Sequence, residues 1–240
     1  MRTGIYILAL LAAVSNGATI ERRAQSTVLP KNSFSNFDKY WNYLYPGGVS
    51  DHNGGARMDK EHVKTENGNT VVITAEPSSG EPPSNHGGGN IPINYRSGAI
   101  HSKETFTVKK NGGYDFNAEV LVNPVQGTWP AFWCSGAESW PPEIDFLEWM
   151  GDGKVLFNTW NTSEINDSKS LPYNNVDEWH SISTKVEDDN GSDVKVTFTY
   201  DGKVVATQWG KGFVGKALNL YVALVPDLST LRKLTHSQHH

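Results

Sequence analysis

Residues Val194-Lys195-Val196-Thr197-Phe198-Thr199-Tyr200 alternate apolar and polar side chains, and Asp201-Gly202 then turns the chain into a second β-rich run at residues 203–209. Side chains of an extended strand point alternately to opposite faces, so Val194, Val196, Phe198 and Tyr200 share one face and the lysine and threonines the other. Asp-Gly suits a two-residue type I′ turn, because both central positions need a positive φ. No long stretch beyond the first eighteen residues repeats apolar side chains at helical spacing. Counting the run that opens at Val194 as residues 193–200, the other β-rich runs lie at residues 70–75, 104–109, 114–122, 129–134, 143–149, 155–160 and 179–187, separated by Gly, Asn and Pro turns. Such a chain is expected to be all-β, a sandwich of two antiparallel sheets. With 240 residues, 37% of them hydrophobic and 11% aromatic, one domain with a sizeable core is expected.

The net charge is −5 with no basic stripe, so nucleic acid is not an expected partner. Met1-Arg2-Thr3, an apolar run over residues 5–14 and Ser15-Asn16-Gly17-Ala18 read as a secretory signal spanning residues 1–18. The run is too short to cross a bilayer, so no membrane association is expected after its removal. Arg22-Arg23 marks a short pro-segment over residues 19–25, which leaves a domain over 26–226 and a polar tail over 227–240. Sequons at Asn161, Asn166 and Asn190 agree with an exported, extracellular glycoprotein. Cys134 is the single cysteine, which excludes an intrachain disulfide and fits a buried, inert thiol better than an intermolecular bridge. His236, His239 and His240 have a spacing that specifies no metal site. Residues 76–94, rich in Pro and Gly, are expected to form a mobile surface loop. The aromatic segment at residues 40–48 is expected to pack on a sheet rather than to stack on ligand.

Pro142-Glu143-Ile144-Asp145-Phe146-Leu147-Glu148-Trp149 places acids in a run that otherwise reads as a buried strand. Glu143 and Asp145 share a face, whereas Glu148 is out of phase by one residue. A β-bulge near Phe146 or Leu147 restores it to that face, a feature found next to active sites. Paired carboxylates on one rigid surface serve glycoside hydrolysis, one as nucleophile and one as general acid, with like-charge repulsion and burial raising a pKa. The alternative is a solvated edge strand with incidental acids.

Together with its neighbours this motif resembles glycoside hydrolase family 16, the group of laminarinases, lichenases, agarases and carrageenases built on a β-jelly roll. The resemblance runs from Tyr95-Arg96-Ser97-Gly98 through Gly127-Thr128-Trp129-Pro130-Ala131-Phe132-Trp133 and Glu143-Ile144-Asp145-Phe146-Leu147-Glu148 to Trp179-His180 and Asp201-Gly202-Lys203. The bulged spacing is similar to that of the laminarinase, agarase and carrageenase branch. The resemblance implies that Glu143 is the nucleophile, Glu148 the general acid and then base, and Asp145 the acid that tunes the nucleophile. It also implies an endo-acting, retaining enzyme for a β-1,3- or β-1,3(4)-glucan, with the two glutamate carboxyls about 5 to 5.5 Å apart. Trp129, Trp133 and Trp149 are expected to offer flat faces to sugar rings, and Asn94 and Arg96 hydrogen bonds to hydroxyls. By alternation Trp149 is the weakest of the three, and His180 reads as structural. No cofactor is required on this reading; a structural calcium ion is known in the family, but no ligand set is legible here.

After Lys216 the chain reads as the family's late strand and then departs from it, so the C-terminal strand of the jelly roll is expected to be incomplete. The rival readings are a transglycosylase of the same family, a non-catalytic carbohydrate-binding sandwich and a polysaccharide lyase. The expected partner is a polysaccharide, bound by a monomer.

Overall fold

The computed structural model describes residues 3–8, 26–52, 54–85 and 89–226. The dibasic pro-segment and the polar tail after Pro226 lie outside the described residues. So does most of the leader, apart from one strand. In chain order the strands are β1 (Thr3–Leu8), β2 (Trp41–Tyr43), β3 (Ala56–Met58), β4 (Val63–Glu66), β5 (Thr70–Pro77), β6 (Tyr95–Ser97), β7 (Ala99–Ser102), β8 (Phe106–Thr107) and β9 (Gly113–Val122). They continue with β10 (Thr128–Gly136), β11 (Glu143–Glu148), β12 (Lys154–Trp160), β13 (Asn166–Pro172), β14 (His180–Asp188), β15 (Val194–Tyr200), β16 (Lys203–Gly210) and β17 (Ala217–Pro226). Among the described residues, the one α-helix is a single turn at Phe37–Tyr40.

The strands form two packed sheets in a jelly-roll sandwich. A 9-stranded sheet runs β16-β15-β14-β9-β1-β5-β6-β3, with β4 beside β5. An 8-stranded sheet runs β13-β12-β11-β10-β17-β7-β2, with β8 beside β17. Pairing is antiparallel except between β3 and β6. The Asp-Gly turn joins β15 to β16, with φ of 46° at Asp201 and 74° at Gly202, as a type I′ turn demands. Val194, Val196 and Phe198 are buried as the alternation requires.

Between the sheets, Phe146 stacks on Phe116 at 4.7 Å and meets Phe132 edge-on at 5.0 Å. Val71, Ile73, Ile100, Val120, Ile144, Phe157 and Phe198 complete the layer at 0–1% exposure. Each such side chain contributes about 1.5–3 kcal/mol relative to an exposed one. Cys134 lies in this layer, buried and free.

A smaller cluster of Tyr45, Ala56, Met58, Ala99, Tyr221, Ala223 and Val225 covers part of the outer face of the 8-stranded sheet. The aromatic segment thus packs, as its area favours: Trp41 and Tyr45 are buried, and Tyr43 stacks on Phe37. The Pro- and Gly-rich connection from β5 to β6 carries an isolated bridge between Ser84 and Ile91. It is fastened to the sheets by Arg57 donating to the Pro82 carbonyl and Arg96 donating to Glu81. Besides the short strands β2, β3 and β4, which the sequence reading also missed, β13 and β1 were illegible in the sequence. β13 is an edge strand of polar, exposed residues held by backbone pairing to β12. β1 comes from the segment that reads as a leader, and its backbone pairs with β5 on one side and β9 on the other.

Candidate active site

β11 lies near the middle of the 8-stranded sheet, between β10 and β12. Its register slips by one residue on both sides. Trp133 pairs with Asp145 but Phe132 with Leu147, and Asn158 pairs with Asp145 but Leu156 with Glu148. Phe146 and Leu147 are both fully buried, so two consecutive side chains enter the core and Glu148 returns to the face of Glu143 and Asp145. The bulge is where the spacing requires it.

Registers of the neighbouring pairs align a row across the sheet: Ser168 on β13, Asn158 on β12, Asp145 on β11, Trp133 on β10, Tyr221 on β17, His101 on β7 and Asn42 on β2. Beside Asp145 in this row, each carboxyl is held by neutral donors. Trp140 Nε1 donates to Glu143 Oε2 at 2.9 Å. Trp129 Nε1 donates to Glu148 Oε1 at 2.6 Å. Asp145 Oδ2 accepts from Asn158 Nδ2 at 3.0 Å and Trp160 Nε1 at 3.2 Å. Asn158 Nδ2 also donates to Glu148 Oε2 at 2.8 Å.

Burial disfavours the charged form of every one of these acids, and their mutual repulsion adds to it. Glu143 is pushed up to about 7, first by burial and then by the Glu148 charge, against the hydrogen bonds from Trp140 and Ser135. Asp145 is driven well above the ordinary carboxylate range by burial and by the charges of Glu148 and Glu143. Glu148 is raised by burial, opposed by Trp129 and Asn158. Near neutral pH such a group retains a proton among its members, so it offers an ionised carboxylate and a protonated carboxyl on one surface. That is the pairing that nucleophilic attack and leaving-group protonation at a glycosidic bond demand.

Trp129 and Trp133 are half-buried on the acid-bearing face, while Phe132 and Cys134 point into the core. Trp133 stacks on Tyr221 at 4.4 Å. The structure does not bring the other expected binding residues to the acids. Trp149 is 1% exposed and packs edge-on against Tyr173, because a residue next to Glu148 on a strand points to the core. Arg96 is on β6 of the other sheet, and its guanidinium is committed to Glu81 and Asp59. Asn94 is exposed, just before β6, with its backbone bonded to Gly55 and Ser78. His180 is structural: it is buried, with Nδ1 2.8 Å from Asp201 Oδ2 and Nε2 3.2 Å from the Asn175 carbonyl. Of the sequon asparagines, Asn190 is exposed, Asn166 opens the edge strand β13, and Asn161 bonds through both ends of its amide to Trp209 and Lys211. Among the described residues, no group of three or more His, Cys, Asp or Glu side chains is placed to hold a metal ion.

Sequence reading missed Trp140, Asn158 and Trp160, which bond the acids directly. Asn158 and Trp160 have the parity of one strand face, but only the register of β12 against β11 shows that this face is the one with the acids.

A jelly-roll sandwich whose bulged central strand presents two glutamates and an aspartate among indole donors defines a glycoside hydrolase. The chain belongs to the glycosyl hydrolases family 16, whose model matches residues 51–216. It is 40% identical over 220 residues to a galactan endo-beta-1,3-galactanase of Flammulina velutipes, an alignment spanning 91% of this chain and 86% of that one. An endo-1,3-1,4-beta-glycanase of Rhizobium meliloti is 31% identical over 107 residues, 44% of this chain and 22% of its own length. Among solved structures, the kappa-carrageenase of Pseudoalteromonas carrageenovora superposes with a TM-score of 0.58 at 18% identity, covering 78% of this chain and 75% of that one. The Bacillus licheniformis beta-glucanase superposes with a TM-score of 0.52 at 17% identity, covering 78% and 79%.

Proposed function

We propose that the chain is a secreted, retaining endo-β-1,3-galactanase, with Glu143 as nucleophile, Glu148 as general acid and base, and Asp145 as the acid beside them. The observation that carries the reaction type is the bulge that sets these three carboxyls on one face among indole and amide donors. Support for the substrate is the similarity to a galactan endo-beta-1,3-galactanase over nearly the whole of both chains. That relative moves the reading from the β-glucan expected of a laminarinase-like motif to a β-galactan. Export rests on the leader and the sequons.

Chain cleavage is expected on β-1,3-galactan, with oligosaccharide products whose new reducing ends keep the β configuration by NMR at early times. Glu143→Gln is expected to lose at least about a thousandfold in kcat while retaining its fold by circular dichroism. Cleavage of laminarin or mixed-linkage glucan in preference to the galactan would replace the galactanase reading with a glucanase one. Near-normal activity of Glu143→Gln would remove the assignment of the nucleophile.

A further inference from the structure

The Asn158 side chain donates to two of the acids and accepts from one further residue. It is 2% exposed. Its Nδ2 donates to Asp145 Oδ2 at 3.0 Å and Glu148 Oε2 at 2.8 Å, and its Oδ1 accepts from Ser168 Oγ at 2.6 Å. The amide orientation follows from the partners. Reversing it would set Oδ1 against two carboxyl oxygens, whereas the serine hydroxyl donates or accepts as required.

Glu148 is thereby fixed at both ends, since Trp129 Nε1 holds Oε1 while Asn158 holds Oε2. N–H donors to both oxygens stabilise the carboxylate over the acid. A hydroxyl on the far side of the amide polarises it and strengthens its N–H donors. Of the other titratable groups, Glu143 and Asp145 on β11 feel the Glu148 charge, while Cys134 on β10 and Tyr221 on β17 interact with Glu143, and Cys134 also with Asp145. Asp167 and Lys169 of β13 alternate with Ser168 and so point to the opposite side of that strand.

We propose that Asn158, locked by Ser168 of the edge strand β13, is a positioning residue that holds Glu148 and Asp145 side by side and stabilises the carboxylate that Glu148 becomes once it has protonated a leaving group. The proposal rests on the reading of Glu148 as the general acid and base. It gives the polar edge strand a role in the chemistry, one that its composition conceals.

The test compares Asn158→Ala, Ser168→Ala and Asn166→Gln. Ser168 also completes the sequon at Asn166, so Asn166→Gln removes the sequon and leaves the hydroxyl, and it separates glycan loss from hydrogen-bond loss. On the full-length protein, carbon-13 NMR of the side-chain carboxyls follows their titration without substrate, and pH profiles of kcat/KM on β-1,3-galactan follow the reaction. In Asn158→Ala the Glu148 carboxyl is expected to titrate at higher pH than in the wild type. Its kcat/KM is expected to fall about tenfold or more, mainly in kcat, with the alkaline limb of the profile moved upward. Ser168→Ala should shift both in the same direction by less, and Asn166→Gln should leave both in place. If Asn158→Ala does not fold, the exposed Ser168→Ala carries the same comparison. Unchanged carboxyl titration and an unmoved alkaline limb in the folded variants would overturn the proposal, even with a lowered melting temperature. Should no galactan or glucan be cleaved, the functional reading falls, while the carboxyl titration still decides whether Asn158 governs Glu148.

Discussion

A buried carboxyl surrounded by indoles and other carboxyls is a liability for the fold that holds it. Glu143 is pushed up to about 7 by burial first and by the neighbouring charge of Glu148 next, against an ordinary value of 4.5. A carboxyl whose folded pKa exceeds its unfolded one favours folding fully below the unfolded value, and this contribution is lost as pH rises through the folded value. Stability should therefore decline between about pH 4.5 and pH 7, as Asp145 and Glu148, raised in the same direction, push it to do. Glu143→Gln removes one of these titrations. Thermal unfolding is expected to show the variant more stable than the wild type near pH 8, by on the order of 1–3 kcal/mol, and nearly equal to it near pH 4. An equal gap at both pH values would show that charge burial at Glu143 is not the cause.

At the scale of the strand, the bulge in β11 makes a demand that ordinary alternation does not. Phe146 and Leu147 are adjacent, yet both are at 0% exposure and both belong to the core. In a regular strand one of the two would face the cleft, and its truncation would be nearly free. Phe146→Ala is expected to cost about 3–5 kcal/mol and Leu147→Ala about 2–5 kcal/mol of unfolding free energy. Urea denaturation of the two variants checks this, and a small cost for either would place that side chain outside the core and undo the bulge. The bulge itself was legible because an acid out of phase by one residue has a single local remedy. The partners of the acids were not. Asn158 and Trp160 reach Asp145 through a register that links strands distant from one another only by pairing, and β13 carries no apolar pattern at all.

For the molecule as a whole, the 9-stranded sheet is continuous only through β1. Thr3 to Leu8 pair with Ala75 to Thr70 of β5, and Ile5 to Leu8 pair with Val122 to Glu119 of β9. Removal of residues 1–18 would leave the facing backbone edges of β5 and β9 without that partner, and unpaired edges invite association. The proposed exported enzyme is the chain without those residues, so β5 and β9 must then close on each other. A shortened chain that melts at lower temperature and elutes as larger species in size-exclusion chromatography would count against removal of the leader. Equal melting and monomeric elution of the shortened and full chains would show that the sheet closes without β1.

What the sequence determined by itself was the β class, the Asp-Gly hairpin, the bulge and the identity of the acids, because alternation, turn chemistry and a misplaced charge are all local. The family was also legible there, since its motifs occur in order along the chain. Tertiary structure decided which tryptophans accompany the acids. Trp129 and Trp140 donate to the glutamates and Trp160 to Asp145, whereas Trp149, adjacent to an acid in sequence, is turned into the core. It also decided that Arg96 serves ion pairs on the other sheet and that a serine on a polar edge strand supports the amide between two acids. These outcomes depend on the register and curvature of strands far apart in the chain, which only the packed sandwich brings into hydrogen-bonding distance.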